Sequence, residues 1–163
     1  MGVAKAVRCR AMKRRGFWIS AGAMVLLLGV MQGTAMARMV LWSAMKGRVL
    51  MNGQPVAGAV LKRSYLWHFK DETGSDEART DANGGFAFPV IERRSLLGAL
   101  LPHEPVIEQE ILIEYQGKSY KAWNYAKRDY NENDENQGRP INVTCHLDAQ
   151  RAKHGGVMGL CEF

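Results

Sequence analysis

The segment Val106–Tyr125 limits the fold more than any other part of this 163-residue chain. It reads V-I-E-Q-E-I-L-I-E-Y, then Gln116-Gly117, then K-S-Y-K-A-W-N-Y. Two alternating runs joined by two residues, with Gly second, are the sequence pattern of a β-hairpin. In that register Ile113 faces Tyr120 and Ile111 faces Ala122 on one side, while Leu112 faces Lys121 and Glu110 faces Trp123 on the other. One face is apolar and the other mostly charged, so the hairpin needs a second layer over its dry face. The expected fold is an all-β, antiparallel β-sandwich.

Charge is informative only once the chain is divided. The 22 Lys and Arg exceed the 16 Asp and Glu, a balance that by itself points to nucleic acid or a membrane surface. Six of the basic residues fall within the first fifteen positions, however, and no acidic residue precedes Asp71. The basic segment ends at Arg15 and is followed by an apolar run, Phe17–Met31, and by Ala35-Met36-Ala37. That is the three-part layout of a secretory signal peptide, residues 1–37, with Ala35 and Ala37 at the positions a signal peptidase reads and Arg38 as the first mature residue. The run is short for a membrane span, so membrane contact is expected only in transit. Arg14-Arg15 also fits a twin-arginine signal, with the general secretory route preferred, and Met12 is an alternative start. No Cys follows the cleavage site, which argues against a lipoprotein. The remainder, residues 38–163, is one expected domain with equal numbers of basic and acidic residues, and nucleic acid is not an expected partner.

Export, to the periplasm in a bacterium, changes what the cysteines mean, because thiols pair in oxidising compartments. Cys9 leaves with the signal, and Cys145 and Cys161 remain as the simplest disulfide. A metal site using them with His146 and His154 lacks regular ligand spacing. Neither a metal nor a cofactor is expected.

Lys46–Lys62 gives a second turn signal at Asn52-Gly53, with Pro55 at a strand start and Gly58 marking a bulge or a close backbone approach. Tyr65, Trp67 and Phe69 alternate along the next strand as a core face. Asp71–Arg79 is polar and reads as an exposed loop. Thr80–Pro89 supplies turn chemistry at Asp81, Asn83, Gly84 and Gly85, then Phe86 and Phe88 on one strand face. Gly47-x-Val49, Asn52-Gly53-x-Pro55-Val56-x-Gly58-Ala59 and Thr80-Asp81-x-x-Gly84-x-Phe86-x-Phe88 together resemble the carboxypeptidase regulatory-like, or transthyretin-like, β-sandwich modules over about Ala44–Val90. The resemblance implies a transthyretin-like or Ig-like sandwich in which Asp81 and Gly84 are fold residues, and it implies no activity.

Ser95–Leu101 places leucines on one side of a short helix in a crossover loop, ending before Pro102. Pro102, His103 and Glu104 follow as a loop-fastening or binding cluster, with a general base at His103 as the catalytic alternative. Together with Tyr115-x-Gly117-Lys118-x-Tyr120-Lys121-Ala122-Trp123, this segment resembles a domain family of unknown function found in exported proteobacterial proteins. Tyr120 and Trp123 join the candidate binding residues. Lys127–Arg139 reads as a solvated turn, because the calcium-like spacing of Asp129, Asn131 and Asn133 breaks at Asp134 and Pro140. Ile141, Val143 and Cys145 alternate as a last strand.

No phosphate-binding Gly loop, nucleophile elbow or helical zinc motif is present in the sequence. The expectation is therefore a non-catalytic module that recognises a protein or cell-envelope component through loops or a sheet edge. An immunity protein neutralising a periplasm-delivered toxin is one alternative, and a hydrolase-like enzyme using His103 and Glu104 is another.

Overall fold

The Gln116-Gly117 hairpin forms as its sequence dictates. In a computed structural model that describes residues 37–95 and 104–163, β8 (Ile107–Tyr115) and β9 (Lys118–Lys127) run antiparallel from that turn. Both turn residues have positive φ, 50° at Gln116 and 74° at Gly117, the conformation that lets a two-residue loop follow the strand twist. Ile113 faces Tyr120 and Leu112 faces Lys121, as expected, but beyond them the register shifts. Ala122 is an extra residue, so Ile111 meets Trp123 and Glu110 meets Asn124. The bulge turns two consecutive side chains, Ala122 and Trp123, inward. Trp123, expected opposite Glu110 on the charged face, is therefore in the core.

The other elements in chain order are β1 (Ala37–Trp42), β2 (Met45–Met51), β3 (Gln54–Pro55), β4 (Val60–Trp67), β5 (Glu72–Arg79), β6 (Gly85–Phe88), β7 (Ile91–Ser95), a 3-10 turn (Asp134–Asn136), β10 (Ile141–His146), β11 (Ala152–His154), β12 (Val157–Gly159) and β13 (Cys161–Glu162). They make an all-β sandwich. One sheet is ordered β11-β12-β9-β8-β4-β5, and the other runs β13-β10-β2-β3, with β6 also pairing β2. A small β1-β7 pair completes it. Pairing is antiparallel except between β10 and β2, which run parallel from Ile141↔Met45 to His146↔Leu50. Alternation works as the period of two requires. Leu61, Tyr65, Trp67, Ile107, Ile111 and Ile113 line the inner face of the larger sheet, and Val49, Phe86, Phe88, Ile141, Val143 and Cys145 pack opposite them.

Four further expectations change. Asp71–Arg79 is not a loop, because Glu72–Arg79 pairs with β4 over its full length, from Trp67↔Glu72 to Val60↔Arg79. The Asn52-Gly53 turn forms, but its second arm is only β3, and the chain from Val60 crosses to the other sheet. Gly58 is there for its backbone, at φ 77° with open space around a would-be Cβ, and not for a close approach. β10 is not the last strand either. The tail returns as β12 on β9 and β13 on β10. The expected signal peptide as far as Met36, with Ala35, and the expected helix beyond Ser95, with Pro102 and His103, lie outside the described residues, while Ser95 itself ends β7.

Candidate functional site

The larger sheet ends at β5, and among the described residues no strand pairs with its outer side. The hydrogen-bonding phase of that edge follows from one bond. His68 N donates to Val106 O at 3.1 Å, so even-numbered residues of β4 point their backbone groups toward β8 and odd-numbered ones toward β5. Across the β4–β5 register, Glu72, Gly74, Asp76 and Ala78 then bond inward. Thr73, Ser75, Glu77 and Arg79 direct their N–H and C=O groups outward, and their side chains are exposed.

Three contacts hold this polar strand in place. Arg63, directly opposite Asp76, is buried and donates through Nε to Asp76 Oδ1 at 2.8 Å and through Nη2 to Oδ2 at 2.6 Å. Its third nitrogen reaches Pro89 O at 2.8 Å, and its guanidinium lies 4.5 Å from the Phe88 ring centre and 5.3 Å from that of Trp42. The Tyr65 hydroxyl donates to Glu72 Oε1 at 2.7 Å, and Arg93 Nε donates to the same oxygen at 2.9 Å. Burial pushes the Glu72 carboxyl up, but the Arg93 and Tyr65 hydrogen bonds outweigh it and hold the group below the usual range. Gly74 lies under the Tyr65 ring, where a Cβ would meet ring carbon Cε1 at 2.5 Å. Small side chains at Ser64, Thr73 and Ser75 leave a shallow recess of about 690 Å³ on the wet face beside the edge.

A second cluster lies inside the molecule. Lys127 and Glu135, both with fully buried side chains, pair at 3.2 Å. Glu135 accepts from Ser43 N at 3.1 Å, Ser43 Oγ at 2.7 Å and Gln109 Nε2 at 2.8 Å, while Lys127 donates to Asn131 O at 2.6 Å. Burial raises the Glu135 carboxyl, and the Lys127 charge with the Gln109 and Ser43 bonds brings it net below the ordinary value. Within Lys127–Arg139, expected as a solvated turn, Lys127, Glu135 and Asn136 are thus buried, while Arg128, Asn131, Glu132, Gln137, Gly138 and Arg139 are exposed. A polar recess of about 350 Å³ adjoins this segment, lined by Tyr125, Asp134, Glu135, Arg139 and Phe163. Burial pushes the Tyr125 hydroxyl and the Asp134 carboxyl up, the latter helped by the Asp129 charge. Tyr125 donates to Asp134 at 3.1 Å, so these groups satisfy one another.

The described ones among the residues singled out from the sequence do not form one site. Cys145 and Cys161 are disulfide-bonded. Ala37 opens β1 opposite Ser95, and Arg38 pairs with Glu92 and Glu132. Glu104 is exposed and 3.3 Å from Arg128. Tyr120 is half-buried at the hairpin. Trp123 is 1% exposed, tilted on Trp42 at 6.5 Å and edge-on to Phe163 at 5.8 Å, which corrects its place among candidate binding residues. Lys127 and Glu135 carry no local sequence signal, whereas the alternation that places Arg63 and Gln109 in phase with buried neighbours is one that finds them.

Among the described residues no group of three or more His, Cys, Asp or Glu is arranged to hold a metal ion. A family model described as a domain of unknown function (DUF6795) matches residues 45–150, from the start of β2 to just past β10. No curated protein and no solved structure matches the chain.

Proposed function

We propose that this chain, which belongs to the DUF6795 family, is an exported, non-catalytic recognition module that takes up an extended polypeptide segment on β5 by strand addition. The observation that carries the reading is the β5 edge, which no described strand covers. Four residues of a fixed strand hold outward-facing backbone donors and acceptors, and an added strand satisfies these without any change in the sandwich. The supports beneath β5 also fit this role. Gly74, the Arg63–Asp76 fork and the Glu72–Tyr65–Arg93 bonds hold the edge in one geometry before a partner arrives, which reduces the ordering cost of binding. The hydrolase alternative rests on His103, which lies outside the described residues, and on Glu104, which is exposed beside Arg128.

Periplasmic placement is part of the proposal. It rests on the basic-apolar-small layout of the first 37 residues and on the Cys145–Cys161 bond. The sandwich is read as transthyretin-like on the strength of the Thr80–Phe88 turn, where Asp81 Oδ1 accepts from Asn83 N and Gly85 N, each at 2.8 Å.

Copurification from the native envelope at near-physiological expression tests the reading, comparing the natural chain with Ser75→Pro. The Ser75 N–H points away from the fold, so proline blocks the edge while sparing the interior. A partner recovered by the natural chain and lost by the proline variant is expected. The same proteins recovered by both, or none by either, would overturn it.

A further inference from the structure

We infer that the strand β5 accepts is the β5 of a second copy of this chain, giving a two-fold dimer in which the two larger sheets become one. This rests on the strand-addition reading above. In an antiparallel pair, facing residues share a sheet face and a hydrogen-bonding phase, so a two-fold axis must pass through a residue paired with itself. Each choice of that residue fixes every facing pair, and only centres at Gly74, Ser75, Asp76 or Glu77 overlap more than three residues of the two β5 strands.

Charge decides among these four. Centring on Gly74 sets Glu72 against Asp76 and Asp71 against Glu77. Centring on Asp76 sets Asp76 against itself, and centring on Glu77 does the same with Glu77. Each puts like charges directly opposite, which opposes pairing. Centring on Ser75 does not. There Ser75 meets Ser75, Thr73 meets Glu77, Gly74 meets Asp76 and Glu72 meets Ala78, and Arg79 of each copy reaches past the start of the other's β5 to the turn that carries Asp71. Ser75 is also one of the outward-bonding residues. In this register Thr73, Ser75 and Glu77 of the two copies exchange about six backbone hydrogen bonds. Arg79 donates to Gly58 O at 3.0 Å through Nη1, which leaves its other nitrogens for Asp71 of the second copy. Acidic residues on an edge ordinarily suppress pairing. Here they suppress every central register but one.

The test is sedimentation velocity of the full chain across the micromolar range, with circular dichroism and thermal melting to confirm that each variant folds. The natural chain is expected to pass from one copy to two as concentration rises. Arg79→Asp should move that transition to about tenfold higher concentration, and Asp71→Arg combined with Arg79→Asp should restore it. Ser75→Pro should abolish it. A chain that remains a single copy throughout overturns the inference, as does a dimer indifferent to both the proline and the charge reversal. If the chain stays single yet loses a copurifying protein on Ser75→Pro, only the second copy is overturned. If it dimerises through β5 while copurification ignores the proline, only the foreign partner is.

Discussion

Lys127 and Glu135 show how much a single buried pair can govern. Each would be strongly destabilising alone in the core, because a buried charge without its counter-charge keeps the desolvation cost and loses the compensation. Lys127→Met should therefore cost about 3–5 kcal/mol in denaturant unfolding. The double variant Lys127→Met with Glu135→Gln should recover much of that loss, giving a large coupling in the double-mutant cycle. Acid provides an independent check. The folded Glu135 carboxyl titrates below its ordinary 4.5, so its contribution is fully present above that pH and lost as pH falls through the folded value. Asp134 has the opposite sign. Its pKa is raised above 3.8, so its contribution is present below that pH and declines as pH rises through the folded value. The stability gap between the natural chain and Glu135→Gln is thus expected to be constant near neutrality and to close below about pH 4.5 in pH-dependent melts, the Asp134 effect cancelling between the two.

The elements most legible in the sequence are those whose turns are chemically specified. Gln116-Gly117, Asn52-Gly53 and Asp81-x-x-Gly84 each name a backbone geometry, and each turn is where its residues place it. β5 reads as a loop in the sequence because Glu72–Arg79 contains one apolar residue, Ala78, and the usual alternation signal needs apolar side chains on one face. Its inner face is instead made by Glu72, Gly74 and Asp76, whose partners Tyr65, Arg93 and Arg63 lie elsewhere in the chain. The bulge at Ala122 was hidden for a related reason. It is set by β12, where Leu160 N donates to Ala122 O at 2.9 Å and Gly159 brings its backbone so close that a Cβ would fall 2.0 Å from the same oxygen. A site made of free backbone groups on a polar strand leaves little trace in side-chain identity, so the candidate edge was accessible only as the general idea of a sheet edge. Gly74→Ala tests how firmly that edge is held. With the new methyl against the Tyr65 ring, the variant should lose about 1–3 kcal/mol in unfolding while keeping its β-rich spectrum.

At the scale of the whole molecule, the two sheets are tied by a tail too short to hold itself. β12 and β13 contribute three and two residues, yet they join opposite sheets, β12 on β9 and β13 on β10. Two-residue strands have little pairing energy of their own. The bond between Cys145 and Cys161, which face each other across β10 and β13, makes that attachment permanent. With a sequence separation of 16, the closed loop corresponds to about 3 kcal/mol in the chain-entropy model, or a melting shift of roughly 10 °C for a domain of this size. Both cysteines are buried, at 0% and 2% exposure, so a thiol reductant has to wait for local opening before it can attack. Added reductant should leave the native chain oxidised for far longer than a urea-unfolded sample, as read by alkylation and mass shift. The Cys145→Ser, Cys161→Ser double variant should melt lower by that amount from the outset. Rapid reduction in native buffer, with no change in melting, would show that the tail is held by its strands alone.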